Sequence, residues 1–184
     1  MLFELITPPS IEPFTLTELK AALRVDHTVD DDLVMELGQT ARRFIERRLG
    51  LAMLSQTWQL VHQGYTDKPI ALRPGIVTGV TAVDVAYGEG DFSSTTEWRF
   101  IRSKPQTVEV TAPCQSGGEE LRELRITFTA GTADPTKVPD DLVRATILLA
   151  AHYYENREAV AEGRYVALPQ GAEALLQGFR EARL

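Results

Sequence analysis

The sequence predicts an α+β fold: a small helical bundle with an antiparallel β-sheet or sandwich inserted between its second and third helices. Apolar residues recur at spacings of three and four up to Leu49, alternate with polar ones from Leu51 to Thr129, and return to helical spacing after Pro139. Turn residues punctuate the alternating stretch at Pro74-Gly75, Gly88-Glu89-Gly90-Asp91 and Ser116-Gly117-Gly118, as short antiparallel connections require. A length of 184 residues suits one domain carrying an insertion. The expected division is an N-terminal arm and two helices over 1–50, the β insertion over 51–138, and the third and last helices over 139–184, together one structural domain.

Each element has a local cause. Pro8, Pro9 and Pro13 hold residues 1–14 extended, because the ring fixes φ and the preceding residue avoids the helical region. Thr15-Leu16-Thr17-Glu18 is a capping box that opens a short helix to about Arg24. The second helix starts on Asp30-Asp31-Asp32, carries Leu33, Leu37, Ala41, Phe44, Ile45 and Leu49 on one side, and stops at Gly50. Its acids at the start and Arg42, Arg43, Arg47 and Arg48 at the end both complement the helix dipole. Among the strands, Leu124, Ile126 and Phe128 against Arg125, Thr127 and Thr129 give the cleanest alternation; segments around Trp58–Leu60, Val83–Tyr87, Trp98–Phe100 and Val108–Ala112 follow the same rule. Pro139-Asp140-Asp141 starts a third helix to about Glu155, apolar almost all the way round, which must be covered by its own domain or by a neighbouring subunit. After Pro169 a last amphipathic helix presents Leu175, Leu176 and Phe179.

Composition excludes several classes of function. Twenty-six acids against nineteen bases give a net charge of −7, the wrong sign for a protein that grips nucleic acid through its surface. The excess is spread along the chain, −3 over 1–50, −2 over 51–138 and −2 over 139–184, so it reads as solubility. One cysteine, Cys114, excludes an internal disulfide framework and a cysteine zinc cage. The start of the chain has no basic region followed by an apolar run, and Leu142–Tyr154, interrupted by Arg144 and His152, is shorter than the ~20 residues of a bilayer span. A cytoplasm-like compartment is expected.

Catalytic chemistry is also not expected. The sequence holds no phosphate loop, HExxH, GxSxG or dinucleotide fingerprint. His27, His62 and His152 fall in three different elements with no carboxylate at useful spacing. The Asp26–Asp32 acids lack the central glycine of a calcium loop, and a helix N-terminus accounts for them. The dense Arg42, Arg43, Arg47, Arg48 patch could touch phosphates or an acidic partner, but dipole complementation on a solvated face accounts for it more simply. No catalytic residue, metal ligand or cofactor is predicted.

Several segments resemble one family. These are Val138-Pro139-Asp140-Asp141-Leu142-Val143-Arg144-Ala145 running into Ile147–Glu158, and Pro8-Pro9 followed by Glu12–Lys20 and Leu23-Arg24-Val25-Asp26. Ser55-Gln56-Thr57-Trp58 and the ending Leu175-Leu176 to Arg180 fit as well. Together they resemble the head–tail connector, or adaptor, proteins of long-tailed phages, prophages and gene transfer agents. The most specific part is the helix ending His152-Tyr153-Tyr154-Glu155-Asn156-Arg157. The resemblance implies a structural, non-enzymatic subunit in the neck of a virion or phage-like particle, assembled in the bacterial cytoplasm. It implies a homo-oligomeric ring, typically of twelve copies, under the portal protein. Such a ring extends the DNA channel without sequence-specific binding and receives the downstream neck or tail-completion protein. It also implies portal docking by the C-terminal segment, here Leu175, Leu176, Phe179, Arg180 and Leu184. Subunit contacts are expected at Leu142, Ile147, Leu149, Tyr153, Tyr154, Arg42 and Arg43. The alternatives are another neck or tail-completion protein and a small hydrolase that would pair His62 or His152 with an acid.

Overall fold

The computed structural model describes residues 1–156 and 169–179. The chain forms two compact units, one from Met1–Ser10 and Gly50–Ala133, the other from Ile11–Leu49 and Asp134 onward.

The first unit is all β. Its strands are β1 (Leu2–Thr7), β2 (Gln56–Gln63), β3 (Ile70–Ala71), β4 (Val77–Tyr87), β5 (Ser93–Ser94), β6 (Trp98–Ile101), β7 (Thr107–Val110), β8 (Gln115–Ser116) and β9 (Glu119–Ala130). One sheet runs β1-β2-β9-β4-β5 with β8 against the start of β9, and a second runs β3-β7-β6; all pairs are antiparallel. β9 is central because its alternation is unbroken: Leu124, Ile126 and Phe128 are buried while Arg125, Thr127 and Thr129 stay half-exposed. Leu60, Val83 and Val85 from neighbouring strands join them, and Ile70 and Val108 of the second sheet complete one core. Each such side chain contributes roughly 1.5–3 kcal/mol by leaving water.

Register shifts bend β4 between Val77 and Gly79 and between Val80 and Ala82. There the hydroxyls of Thr78 and Thr81 donate to the carbonyls of Thr129 and Thr127, at 3.2 and 3.0 Å. β9 ends at Ala130; Gly131, which follows, has a φ of +91° that suits glycine, and a side chain there would run into the Leu54 carbonyl. The insertion between the helices thus forms the expected antiparallel sheets. The N-terminal segment, expected only to be extended, supplies a strand of its own, with Leu2 opposite Val61 and Leu5 opposite Trp58. Leu2, Leu5 and Ile6 do not alternate, which is why periodicity alone did not mark it.

The second unit is a bundle of α1 (Leu16–Leu23), α2 (Asp31–Leu49), α3 (Asp140–Glu155) and α4 (Gln170–Leu176), the last running into a 3-10 turn at Gln177–Phe179. The capping box forms: the Glu18 N–H donates to Thr15 Oγ1 at 3.2 Å, and the Thr15 N–H donates to Glu18 Oε2 at 2.7 Å. α3 packs against α1, α2 and α4, which covers most of its apolar surface and leaves Asp140, Asp141, Arg144 and Glu155 exposed. Gly38 on α2 lets the buried side chains of Phe14 and Leu19 approach; a Cβ there would lie 2.8 Å from the Phe14 ring.

Candidate functional site

The residues expected to meet other proteins lie in the helical unit, and their burial sorts them. On α3, Leu142, Ile147 and Leu149 are buried among the unit's own helices. The Thr146 hydroxyl, also buried, donates to the Leu142 carbonyl at 2.8 Å, so the helix needs no outside partner for it. Tyr153 and Tyr154, at the C-terminal end of α3, are half-buried. The Tyr154 hydroxyl donates to Asp30 Oδ2 at 2.7 Å, tying the end of α3 to the start of α2. Burial pushes the Tyr153 hydroxyl's pKa up, against the opposing charge of Arg47.

Arg42 and Arg43 are neighbours in sequence with opposite fates. Arg43 is exposed, whereas the Arg42 side chain is 2% exposed. Arg42 forks onto Glu12 through Nε and Nη2 at 2.6 and 3.1 Å, and its Nη1 meets Glu46 at 2.6 Å. Burial alone would lower the guanidinium's pKa; its hydrogen bonds to Glu12 and the charges of Glu46 and Glu12 outweigh it and hold the pKa above its ordinary value. The triad fastens the segment before α1 to α2. Glu46 lies one turn along the same helix, whereas Glu12 is thirty residues away, and neither was expected from the sequence as a partner.

The C-terminal helix has two faces. Ala172 and Leu176 are buried, and α4 packs on α3. Leu175 and Phe179 are half-buried, and Arg48 Nη2 reaches Glu173 at 3.2 Å in a solvent-exposed pair. Arg180 and Leu184 lie outside the described residues. For Leu176 to touch another protein, α4 must leave α3; Leu175 and Phe179 already show part of their surface.

The histidines do not build a catalytic centre. The ring N–H at Nδ1 of His62 donates to the Gly64 carbonyl at 3.2 Å, the Asn156 amide lies 3.2 Å from His152 Nδ1, and His27 is exposed. Among the described residues, no three His, Cys, Asp or Glu side chains gather to hold a metal ion, and no helix is long and apolar enough to cross a membrane.

No protein-family model and no curated protein sequence matches the chain. Solved structures of gene transfer agent particles do. A chain of the neck of an empty particle, computed with C6 symmetry, matches with a TM-score of 0.79 at 25% identity, covering 100% of this chain and 97% of that one. A chain of the native virion matches with a TM-score of 0.78 at 25% identity and the same coverage. A chain of the native neck, computed with C12 symmetry, matches with a TM-score of 0.72 at 26% identity, again covering 100% and 97%. Over its full length the structure therefore matches the neck, or head–tail connector, proteins of gene transfer agents, the family that its helices resemble in sequence.

Proposed function

We propose that this chain is a head–tail connector subunit: a structural protein, not an enzyme, that forms a ring in the neck of a phage or phage-like particle. The observation that carries this is the end-to-end fold match to gene transfer agent neck chains, which takes in both the helical unit and the β insertion. The ring, of about twelve copies by the family resemblance, sits beneath the portal, continues the DNA channel and offers its far side to the next neck or tail protein. Assembly takes place in the bacterial cytoplasm. The portal is met by the C-terminal segment, through Leu175, Phe179, Arg180 and Leu184, and through Leu176 once α4 is displaced. Tyr153, Tyr154 and Arg43 carry side-chain contact between subunits, whereas Leu142, Ile147, Leu149 and Arg42 support those contacts from inside the unit.

The test is the mass of the purified protein, alone and mixed with the portal protein of the same particle, by sedimentation or native mass spectrometry. A ring-sized species, alone or on the portal, is expected. A monomer that ignores the portal would overturn the reading. A ring that forms without touching the portal would assign the chain to a later position in the neck.

A further inference from the structure

The β unit treats its two sheet edges unequally. β5 ends the larger sheet with two exposed serines, the short polar edge that discourages further pairing. The opposite edge is β1, six residues long, with Leu2 63%, Leu5 39% and Ile6 49% exposed and Glu4 as its only charge. A long apolar edge is an invitation to another strand. The second sheet ends on β6, Trp98-Arg99-Phe100-Ile101, where the Arg99 side chain is 73% exposed.

We propose that β1 of one copy of this chain adds to β6 of the next, antiparallel, with Glu4 opposite Arg99. That register sets Leu5 against Trp98, Phe3 against Phe100 and Leu2 against Ile101. Three independent features agree on it. The first is charge: the sole charged residue of β1 meets the sole charged residue of β6, whose Nη2 reaches Glu109 on β7 at 2.8 Å while its other N–H groups have no acceptor among the described residues. The second is the pleat. Phe3 packs on the core side of its sheet, as do Trp98 and Phe100 of theirs, so the paired sheets keep their apolar faces on one side.

The third is hydrogen-bond parity. The Gly64 N–H donates to the Arg122 carbonyl, so even-numbered residues of β2 bond β9 and odd-numbered ones bond β1. Leu2 and Glu4 therefore bond β2, and the backbone groups of Phe3 and Leu5 point outward. On β6, the Thr111 N–H donates to the Glu97 carbonyl, so Arg99 and Ile101 bond β7 and Trp98 and Phe100 point outward. The Trp98 N–H already donates to Thr96, which leaves its carbonyl and both groups of Phe100 for a new strand. The outward sets of the two edges thus fall opposite one another in the register that charge and pleat select. The contact joins unlike surfaces, as a closed ring requires and a two-fold dimer does not. The inference rests on the ring reading above and specifies the seam between its subunits.

Glu4 and Arg99 would form a non-hydrogen-bonded pair, with Cα atoms about 4.5 Å apart, near enough for a disulfide. The test is the double variant Glu4→Cys with Arg99→Cys in a Cys114→Ser background, oxidised after assembly alone or on the portal and run on a denaturing gel. A ladder of covalent oligomers up to ring size is expected. In parallel, Glu4→Lys should raise the concentration needed for assembly roughly tenfold or more, and Glu4→Lys with Arg99→Glu should recover most of that loss. Both positions are exposed; because Arg99→Glu also faces Glu109 across β6 and β7, the double charge variant is compared with Arg99→Glu alone, and unchanged thermal unfolding of the monomers confirms that the variants fold. Rings of normal mass with no ladder and no charge effect would overturn the strand pairing and leave the connector reading intact. Absence of any ring, with or without portal, would overturn the connector reading and this seam with it.

Discussion

At the scale of single residues, the consequential side chain is Arg42. It binds two carboxylates in a site that water barely reaches, so removing it takes that cation from both Glu12 and Glu46. Breaking a buried pair from one side costs about 3–5 kcal/mol. Arg42→Met is expected to lower unfolding stability by that order in a denaturant titration. Arg42→Lys should recover only part, because an ammonium cannot fork onto Glu12. Gly38 poses a smaller conflict. Alanine would gain about 1 kcal/mol in helix propensity, but its Cβ would press on the buried Phe14 and Leu19 side chains. Gly38→Ala is expected to lose about 1–2 kcal/mol net, and a gain in thermal stability would show that Phe14 moves aside freely. The sequence marked Arg42 only as part of a basic helix end. Neighbouring arginines look alike in one dimension, and what separates Arg42 from Arg43 is a partner brought from the arm before α1.

At the scale of elements, the sequence is most readable where one periodicity governs. The capping box, the aspartate start of α2, the alternation of β9 and the proline start of α3 all form where local chemistry puts them. β1 was not readable as a strand, because its pattern answers to a bare edge as well as to a core. The capping box makes a pH prediction. The backbone and side-chain hydrogen bonds with Thr15 hold the Glu18 carboxyl below its ordinary pKa of 4.5. Its contribution is therefore present above that value and fades as pH falls through the lower folded value. Thr15→Ala should cost about 1 kcal/mol near neutrality and less in acid, measured as the gap between the two proteins' unfolding midpoints across that range. At the other end of the bundle, Leu176 and Phe179 separate stability from docking. Leu176 is buried against its own unit, so Leu176→Ala is expected to lower stability by about 2–4 kcal/mol. Phe179, half-exposed, should change stability less, and Phe179→Ala should weaken portal binding more than Arg183→Ala, since a desolvated aromatic anchor outweighs a single charge. Equal losses from Phe179→Ala and Arg183→Ala would count against an apolar anchor.

At the scale of the whole molecule, the proposed ring raises the question of how DNA would pass through it without being held. Phosphate contacts dominate affinity for duplex DNA and strengthen as salt is lowered. In the proposed ring every copy brings a net charge of −7, so the assembly as a whole repels rather than attracts phosphates. The one dense arginine run is further reduced by folding: Arg42 is buried in its triad, and of the three exposed arginines Arg48 pairs with Glu173. These arginines are already counted in the net charge of −7. The assembled ring is therefore expected to retain no duplex DNA even near 50 mM salt, where electrostatic binding is strongest, in a mobility-shift or co-sedimentation measurement. Tight binding that falls steeply with added salt would mean that the arginines line a surface made to grip DNA, and the passive channel would have to be given up. Weak binding appearing only after several surface acids are replaced by glutamine would identify the acidity itself as what keeps the passage free.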